Sequence, residues 1–305
     1  MSQLIRKVVF PVAGMGTRFL PATKTIPKEM LPVVDRPLIQ WAVEEAANAG
    51  CTEFIFVTAP QKTSIIAHFE QTPQLAEFLQ RKNKQHELDL LRAGLPQNAK
   101  LTQIIQPEPL GLGHAIWCAR EAVGDEAFAV ILPDDMVLHK SGCLAQMVAQ
   151  YEKIGGHLVA VENVPPDQTQ LYGIVSPASP DGAPEEGLIR LAGLVEKPTP
   201  QDAPSSLGII GRYIFEAGIM ETLSAGKIGA GDEIQITDAI ATDIGRVAVH
   251  GFRFSGTRYD CGTQTGFLAA NVAFALAMAA NSDSHKTLQK TITHILAETI
   301  EKPDK

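Results

Sequence analysis

The segment KVVFPVAGMGTRF, residues 7–19, contains the main indication of how this chain folds. Its first part, Lys7–Val12, is a run of mostly apolar and β-branched side chains that ends at Ala13 and Gly14. Such a run, bounded by turn residues, is typical of a strand that is buried on both faces of a parallel sheet. We therefore expect a central strand here, with the glycine-containing loop at its carboxyl end.

Working outward from this strand, strand-like and helix-like patterns alternate through the first half of the chain. The predicted strands are Glu53–Thr58, Leu101–Gln106 and Ala127–Leu132, and the predicted helices are Pro37–Gly50, Gln61–Glu70, Pro73–Gly94 and Gly111–Val123. This alternation indicates an α/β fold with a parallel sheet, helices on its faces and right-handed crossovers.

From about residue 157 the strands follow one another with fewer helices between them, so we expect part of the sheet to be mixed. The predicted strands here are His157–Val164, Gly173–Ser176, Ile189–Glu196, Leu207–Phe215 and Val247–Phe254. The predicted helices are Asp232–Ile244, Gln264–Ala280 and Asp283–Glu301. The segments Pro177–Glu186 and Pro198–Pro204 are rich in Pro, Asp and Ser and are expected to be surface loops.

Composition excludes several classes of protein. The chain has 305 residues and a formal net charge of −8, which argues against a basic groove for nucleic acid. No charged region followed by an apolar stretch begins the sequence, so we expect no signal peptide. The longest apolar tract, Phe267–Ala280, is too short to span a bilayer, and it fits either the core or a subunit interface.

The cysteines are scattered and lack the spacing of a metal knuckle or a C-x-x-C motif. They are Cys51, Cys118, Cys143 and Cys261. We expect them to be reduced and mostly buried, as in a cytoplasmic enzyme without nucleic-acid or membrane partners.

The loop after the first strand has two glycines, Gly14 and Gly16, which let the backbone approach a phosphate closely. A dinucleotide-binding fingerprint would need a third glycine where Phe19 stands and an acidic residue after the second strand, where Thr58-Ala59-Pro60 stands. A P-loop would need glycine and lysine at positions 19 and 20. Both standard motifs are absent, which disfavours a dinucleotide-dependent oxidoreductase.

Three cations follow these glycines within fifteen residues: Arg18, Lys24 and Lys28. Two glycines alone would fit a simple turn, but three cations at the carboxyl end of a central strand fit a triphosphate better than a solvated surface.

Further candidate residues stand at the ends of other predicted strands. Asp134 and Asp135 close the fourth strand, where one or two carboxylates could hold Mg²⁺ together with substrate phosphates, or could cap the following turn. A second glycine loop, Gln106–Ala115, could line a base or a ribose, or could simply cap a helix. The pair Glu196–Lys197, taken alone, is more typical of a solvated ion pair.

Residues 14–40, GMGTRFLPATKTIPKEMLPVVDRPLIQ, closely resemble the signature of bacterial UTP–glucose-1-phosphate uridylyltransferases, a family of sugar-nucleotide pyrophosphorylases. The phrase PKEM at 27–30 separates this family from relatives that make dTDP-glucose, whose corresponding run ends in Lys-Gln-Leu. The resemblance extends from Val8 to about Ala280, and Met15 departs from the leucine that is frequent in relatives. It implies a Rossmann-like, glycosyltransferase-A-type nucleotidyltransferase fold with a central mixed, mostly parallel sheet flanked by helices.

The resemblance also implies the activity: Mg²⁺-dependent, in-line attack of glucose 1-phosphate on the α-phosphorus of UTP, giving UDP-glucose and pyrophosphate. It assigns the catalytic positions to Arg18, Lys28 and Lys197 and the metal to Asp134 and Asp260. The implied nucleotide contacts are Ala13, Gly14, Gly16, Thr17, Glu29, Gln106, Gly111 and Asp134, and the implied sugar-phosphate contacts are Gly173, Glu196, Lys197 and Gly211.

The expected organisation is a single domain, residues 1–305, that assembles as a homodimer or homotetramer. Residues 1–135 would mainly bind the nucleotide, residues 136–262 the sugar phosphate, and residues 263–305 would form C-terminal helices. Two alternatives stay open: a sister enzyme that uses dTTP or another sugar phosphate such as galactose 1-phosphate, and an inactive nucleotide-sugar sensor. A sensor would be expected to lack one or more of the residues Arg18, Lys28, Asp134 and Lys197, all of which are present.

Overall fold

The computed structural model describes residues 4–179, 187–226, 228–279 and 283–300. Its strands are β1 Lys7–Pro11, β2 Pro32–Val33, β3 Arg36–Pro37, β4 Glu53–Thr58, β5 Lys100–Ile105, β6 Phe128–Ile131, β7 Asp135–Leu138, β8 His157–Asn163, β9 Gly173–Pro177, β10 Leu188–Glu196, β11 Leu207–Phe215, β12 Val249–Arg253 and β13 Thr257–Asp260. Its helices are α1 Leu38–Asn48, α2 Thr63–Ala67, α3 Pro73–Arg81, α4 Gln85–Arg92, α5 Leu112–Cys118, α6 Arg120–Val123, α7 Gly142–Ile154, α8 Ile219–Ser224, α9 Ile236–Asp243, α10 Gln264–Ala279 and α11 Asp283–Ile300.

The described residues form a central nine-stranded sheet in the order β5-β4-β1-β6-β11-β8-β12-β10-β9. Strands β5, β4, β1 and β6 are parallel, and β11 runs antiparallel between β6 and β8. Strand β12 is parallel to β8, whereas β10 is antiparallel to both β12 and β9. The predicted mixed, mostly parallel sheet is therefore confirmed, with β1 inside its parallel half.

The far end of this sheet curls back on itself. Strand β9 pairs with β10 and also with β11, where Gly208 is opposite Ile174. Strands β11, β8, β12, β10 and β9 thereby close into a ring. The residues predicted for the sugar phosphate lie mostly on β9, β10 and β11.

Both faces of the sheet are covered by helices. Side chains on both sides of its inner strands are therefore buried, and the sequences of these strands are nearly continuous apolar runs. Val8 and Phe10 pack on the face that carries α1 and α7, whereas Val9 packs on the face that carries α5, α8 and α9. All three side chains are fully buried. Burying a side chain of this size contributes about 1.5–3 kcal/mol, so this strand anchors the loop that follows it.

Several predicted helices are shorter or divided. The helix expected over Pro73–Gly94 is two helices, α3 and α4, with Asn83 between them at a positive φ of 53°. The helix expected over Gly111–Val123 divides at Ala119 into α5 and α6. The helix expected from Asp232 begins at Ile236, because Gly231 and Asp232 adopt left-handed backbone angles that no α-helix accommodates.

Other boundaries differ because tertiary pairing overrides local pattern. Pro37 was expected in the first turn of α1, but it pairs with Pro32 in the small β2–β3 hairpin. Strands β7 and β13 form a second small sheet that was not predicted, and helices α7 and α8 were not predicted either. Residues 180–186 of the predicted loop and residue 301 of the predicted last helix lie outside the described residues.

Helix α10 covers the β7–β13 pair with one face only. Phe274 is buried against Trp41 and Tyr259, at ring-centroid distances of 4.9 and 6.1 Å. Leu268 and Met278 on the same helix are 65% and 46% exposed. The apolar tract is thus partly core. Within the described ranges, no helix is both long and apolar enough to cross a membrane.

Candidate active site

The loop after β1 consists largely of three short 3-10 turns, Thr17–Phe19, Ala22–Lys24 and Lys28–Met30. Gly16 adopts a φ of 65°, and a Cβ there would lie 3.2 Å from Lys28 Cβ. The Thr23 hydroxyl donates to the Gly16 carbonyl at 2.7 Å, and Phe19 packs edge-on against Phe267 of α10. A glycine is therefore required where the loop turns, and an aromatic contact fastens the loop to the C-terminal helix.

Four residues predicted from different parts of the chain converge at the end of this loop. Lys28 Nζ lies 2.5 Å from Asp134 Oδ2, just after β6. A Cβ built on Gly262 would lie within 3.2 Å of Arg18 Nη1, Asp134 Oδ2 and Asp260 Oδ1. The loop after β1, the carboxyl end of β6 and the end of β13 thus meet around one point, which leaves no room for a side chain at position 262.

The charges of this cluster reinforce one another. Burial disfavours the charge of Lys28, but the neighbouring Asp134 and Glu29 carboxylates outweigh it and raise the pKa of Lys28. Burial likewise disfavours the charge of Asp134, but the Lys28 ammonium and its hydrogen bond lower the pKa of Asp134 below its ordinary value. Both groups are therefore ionised at neutral pH. Lys24, the third cation of the motif, is exposed to solvent.

The adjacent aspartate has different partners. Asp135 Oδ2 accepts a hydrogen bond from the Gly211 backbone N–H at 3.1 Å, and Asp135 Oδ1 accepts one from Arg258 Nε at 2.5 Å. A Cβ on Gly211 would lie only 2.6 Å from Leu132 Cβ, so glycine is needed there for β11 to approach the turn. Burial raises the pKa of Asp135, and Arg258 opposes that rise.

Arg258 connects these carboxylates to Glu162 and Tyr172 and was not among the predicted site residues. Its Nη1 donates to Glu162 Oε1 at 2.8 Å and to the Tyr172 hydroxyl at 3.3 Å, and its Nη2 is 3.9 Å from Asp260 Oδ2. Its position two residues before Asp260 was the available signal. Because the N–H donors of a guanidinium point in fixed directions within one plane, Arg258 fixes the relative positions of the three carboxylates around it, Asp135, Glu162 and Asp260.

On the sugar-phosphate side, Glu196 and Lys197 lie beside Gly173. Glu196 Oε2 accepts from the Thr237 hydroxyl at 2.9 Å, and Lys197 Nζ is 3.2 Å from Glu196 Oε1. A Cβ on Gly173 would clash with Thr237 Cγ2 at 2.5 Å. Lys197 has a φ of 48°, its backbone N–H donates to the Tyr172 carbonyl, and half of its side chain is exposed. A lysine with positive φ is uncommon, and such strain tends to occur at functional positions.

Gln106 and Gly111, both predicted nucleotide contacts, are in direct contact with each other. Gln106 Nε2 lies 3.3 Å from the Gly111 carbonyl and 3.0 Å from His114 Nδ1, so His114 supports the amide. Gly111 has a φ of 100°, and a Cβ there would lie 2.7 Å from Glu233 Cβ. The turn therefore requires glycine, and it sets Gln106 at the edge of the sheet.

Glu29 is almost fully buried and is held by a lysine that the sequence reasoning missed. Lys62 Nζ donates to Glu29 Oε2 at 2.8 Å and to the Val12 carbonyl at 2.7 Å. Burial raises the pKa of Glu29 and lowers that of Lys62. Glu29 Oε1 is buried and has no hydrogen-bond partner among the described residues. Lys62 follows β4, the neighbour of β1, and that position was the only signal for it.

The main chain beside Glu29 and Lys62 is accessible where the nucleotide was expected. Gly14 and Thr17 are exposed and Ala13 is nearly buried. A Cβ on Gly14 would meet no atom within 4 Å, so the backbone there is open to a ligand.

The carboxylates fit a hard cation that is shared with a substrate. Among the residues that the structure describes, no cluster of three or more His, Cys, Asp or Glu side chains could hold a metal ion. Asp134 and Asp260 provide two carboxylates around one point. This donor set suits Mg²⁺, which keeps several waters and binds through one or two carboxylates plus substrate phosphates.

Comparison with known proteins gives consistent matches. The family model for nucleotidyl transferases matches residues 7–276. A UTP–glucose-1-phosphate uridylyltransferase of Komagataeibacter xylinus is 46% identical over 264 residues, which cover 87% of this chain and 92% of the relative. A UTP-bound UDP-glucose pyrophosphorylase from Acinetobacter baumannii superposes with a TM-score of 0.84 at 39% identity, covering 95% of this chain and 99% of the other. A UDP-glucose pyrophosphorylase complexed with UDP-glucose has a TM-score of 0.80 at 42% identity, with coverages of 88% and 98%.

Proposed function

Because the chain belongs to the nucleotidyl transferase family, we propose that it is the enzyme that joins UTP to glucose 1-phosphate, releasing pyrophosphate and forming UDP-glucose. The relatives that are similar over most of their length have this activity in their names, and the related structures hold UTP or UDP-glucose. The observation in this chain that supports the proposal best is the convergence of Arg18, Lys28, Asp134 and Asp260. A sister activity or an inactive sensor is not favoured.

The reaction requires positioning and charge stabilisation more than proton transfer. The attacking phosphate oxygen of glucose 1-phosphate is already ionised at neutral pH, so no general base is needed. We assign Arg18 and Lys28 to the triphosphate and the departing pyrophosphate, where two cations stabilise the charge that develops as the bond to the α-phosphorus breaks. Lys28 now pairs with Asp134, and in this mechanism its ammonium turns toward the triphosphate.

The nucleophile is assigned to the other side of the site. Lys197 would hold the phosphate of glucose 1-phosphate, since its ammonium is half exposed and its backbone is fixed by Tyr172. Glu196, beside Gly173 and Thr237, would accept from the sugar hydroxyls. Gly211 would allow β11 to pass close to this region. Holding both reactants in an in-line arrangement removes most of the entropic barrier to their reaction.

Mg²⁺ is the metal that we propose for Asp134 and Asp260. When bound there, Mg²⁺ would supply positive charge that neutralises the phosphates of the substrate. The protein contributes two carboxylates, and the Lys28 ammonium lowers the pKa of Asp134 against the effect of burial, so the Asp134 carboxylate is ionised before the substrates bind.

Selection of uracil is assigned to the residues around Gly14. Gln106, beside Gly111, offers an amide, and the open backbone at Gly14, next to the buried Ala13, offers peptide groups. Glu29 offers the buried carboxylate oxygen Oε1, which has no hydrogen-bond partner among the described residues. Residues 1–135 would thus mainly bind the nucleotide, residues 136–262 the sugar phosphate, and residues 263–305 would form the closing helices. A cytoplasmic location and a homo-oligomeric state stay predictions from the sequence.

A substrate panel tests this function directly. Pyrophosphate release is measured with UTP, dTTP, CTP and ATP, each combined with glucose 1-phosphate or galactose 1-phosphate, with Mg²⁺ or with EDTA. We expect UTP with glucose 1-phosphate to be the best pair, and only in the presence of the metal. Faster turnover with dTTP or ATP would overturn the uridylyl assignment and leave the fold unaffected.

A further inference from the structure

Behind the metal carboxylates lies a buried ion pair between Arg212 of β11 and Glu45 of α1. Arg212 Nε and Nη2 donate to the two Glu45 carboxylate oxygens at 3.1 and 2.8 Å. Both side chains are almost completely removed from solvent. The two-point geometry sets orientation as well as distance, because a planar guanidinium matches a carboxylate in one arrangement.

The remaining donor of this guanidinium is directed at the backbone that leads to Asp134. Arg212 Nη1 donates to the Leu132 carbonyl at 3.0 Å and lies 3.3 Å from the Gly211 carbonyl. The Leu132 N–H in turn donates to the Gly211 carbonyl at 2.8 Å. Leu132 stands at the point where the chain leaves β6, where the ladder hydrogen bonds of the sheet end. The Leu132 carbonyl also accepts a hydrogen bond from the Asp135 N–H at 3.2 Å. Arg212 is therefore a second donor to a main-chain carbonyl of the turn that carries Asp134.

Glu45 extends the same connection to helix α7. Its Oε1 accepts hydrogen bonds from the backbone N–H groups of Cys143 and Leu144, at 3.2 and 2.9 Å, which are otherwise unpaired at a helix start. On the opposite side of the turn, the Asp134 carbonyl accepts from the Cys261 N–H at 2.7 Å. The backbone around Asp134 is thus held at the Leu132 carbonyl by Arg212, which Glu45 orients, and at the Asp134 carbonyl by Cys261 of the segment that carries Asp260.

We propose that the Arg212–Glu45 pair is a positioning device for the metal site, which holds the Leu132–Asp134 backbone so that the Asp134 carboxylate stays directed at Asp260 and Arg18. This inference rests on the proposed function, because it assigns a role within the same site. A buried ion pair adds little net stability compared with well-packed apolar residues. Its effect here is therefore expected in the geometry of the turn, and so in metal binding and turnover.

The test compares Arg212→Lys with a matched control, Lys7→Arg. Lys7 is also a buried cation that donates to a main-chain carbonyl, that of Val123 at 2.8 Å, and pairs with a carboxylate, Glu126 at 2.8 Å. Lys7 is the first residue of β1, at the end of this inner strand opposite to the carboxyl end from which the site loop leaves. Both exchanges keep the charge and change the donor geometry.

We expect Arg212→Lys to lower kcat by about 10²-fold, since misplacement of a reacting group by ~1 Å has about that effect. Mn²⁺ affinity of the folded protein, measured by electron paramagnetic resonance without turnover, should fall in parallel, while the KM for UTP stays within about threefold. Lys7→Arg should leave all three unchanged. Glu45→Gln serves as a second variant if Arg212→Lys does not fold, and it should change the same quantities in the same direction.

Two results would overturn the inference. One is wild-type Mn²⁺ affinity and kcat in a folded Arg212→Lys or Glu45→Gln protein, which would make the pair purely structural. The other is an equal loss in Lys7→Arg, which would attribute the effect to general destabilisation. Failure of the proposed function would be visible separately, as absence of turnover in the wild-type protein, and the Mn²⁺ comparison between variants would still decide the role of the pair.

Discussion

At the scale of single residues, two adjacent aspartates have different surroundings and therefore different expected roles. Asp134 is ion-paired to Lys28, and both side chains are partly exposed, whereas Asp135 is enclosed between Arg258 and the Gly211 N–H. The Asp134 carboxylate can exchange Lys28 for a ligand. The Asp135 carboxylate instead binds Arg258, which also donates hydrogen bonds to Glu162 and to the Tyr172 hydroxyl.

The first prediction uses this difference. Asp134→Asn should lower kcat by more than ~10³-fold, because a metal ion stabilises charge in the transition state by several kcal/mol. Its loss of stability should be about 1 kcal/mol or less, since the Lys28–Asp134 pair is partly exposed. Asp135→Asn should keep more activity and lose more stability, roughly 2 kcal/mol, because it leaves the buried Arg258 charge short of a partner.

Steady-state kinetics and urea denaturation of the two variants check these values. The reverse order of activities would mean that the metal is assigned to the wrong carboxylate. Asn keeps the shape of Asp at both positions, so the comparison isolates charge.

The second prediction at this scale concerns Lys197. Lys197→Ala should raise the KM for glucose 1-phosphate and lower kcat, with a combined effect of about 10²-fold, because the nucleophile would be weakly held and misaligned. The KM for UTP should barely change. Glu196→Gln should instead reduce discrimination among hexose 1-phosphates. A merely solvated pair would be worth no more than about 1 kcal/mol.

The chain offers a control of that solvated kind. Lys84, just before α4, and Glu87 in its first turn form an exposed ion pair at 2.8 Å, so Lys84→Ala should show wild-type kinetics. If Lys197→Ala matches Lys84→Ala with both substrates, Lys197 does not contact the sugar phosphate.

At the scale of secondary-structure elements, a buried histidine joins three of them. The Glu216 N–H donates to His157 Nδ1 at 3.2 Å, so Nε2 carries the proton that is donated to Asp243 Oδ2 at 3.1 Å. Asp243 Oδ1 accepts from the Thr222 hydroxyl. The first residue of β8 is thereby tied to the end of α9 and to α8 through a neutral imidazole.

A pH dependence of stability follows. Burial lowers the pKa of His157 from its ordinary value of 6.5, and Asp243 opposes this only in part. The folded state therefore binds fewer protons than the unfolded state below about pH 6.5. Stability should be full above that pH and should decrease as the pH falls, with a slope of at most about 1.4 kcal/mol per pH unit for this one group.

Thermal melts between pH 8 and pH 5 check this dependence. Compared with the wild type, His157→Asn should have a lower melting temperature at pH 8, and its melting temperature should fall less between pH 8 and pH 5. Some decline should persist, because burial also lowers the pKa of His68 and His250. His139 is exposed, and His139→Asn should retain the wild-type slope. An unchanged slope in His157→Asn would contradict the assignment.

At the scale of the whole molecule, the site is formed where separate parts of the chain meet. The loop after β1 supplies Arg18 and Lys28, the end of β6 supplies Asp134, and the β7–β13 sheet brings Asp260 beside them. A ligand that contacts all three would stabilise the fold as a whole, because it binds the folded state and not the unfolded chain.

We therefore expect UTP with Mg²⁺ to raise the melting temperature. A ligand present at about 100 times its dissociation constant raises the free energy of unfolding by roughly 2.7 kcal/mol. For a protein of this size, that corresponds to a rise of several degrees in melting temperature. EDTA or the Asp134→Asn substitution should remove most of the shift, and ATP should produce little of it. Scanning fluorimetry measures these shifts, and an equal shift with ATP would argue against selection of uracil.

Much of this molecule could be predicted from residue order alone, because the relevant information is local. The apolar run at Lys7–Val12 identifies a buried strand, and the glycines after it and the segment 27–30 indicate a family, without reference to any other part of the chain. The strands of the central sheet were all predicted, whereas the short strands β2, β3, β7 and β13 were not. The clearest cases, such as β1, β6 and β11, are buried on both faces and are therefore apolar at nearly every position.

What only the tertiary structure decided are the contacts between residues that are far apart in the chain. Lys62 meets Glu29, Arg258 meets Asp135, and Arg212 meets Glu45, across separations of 33, 123 and 167 residues. No periodicity or spacing encodes such pairs, because each depends on how the sheet is ordered and where it curls. Short strands such as β7 and β13 also form only because the folded chain brings them together, so their pairing, and the position of Asp260 with it, is a property of the whole fold.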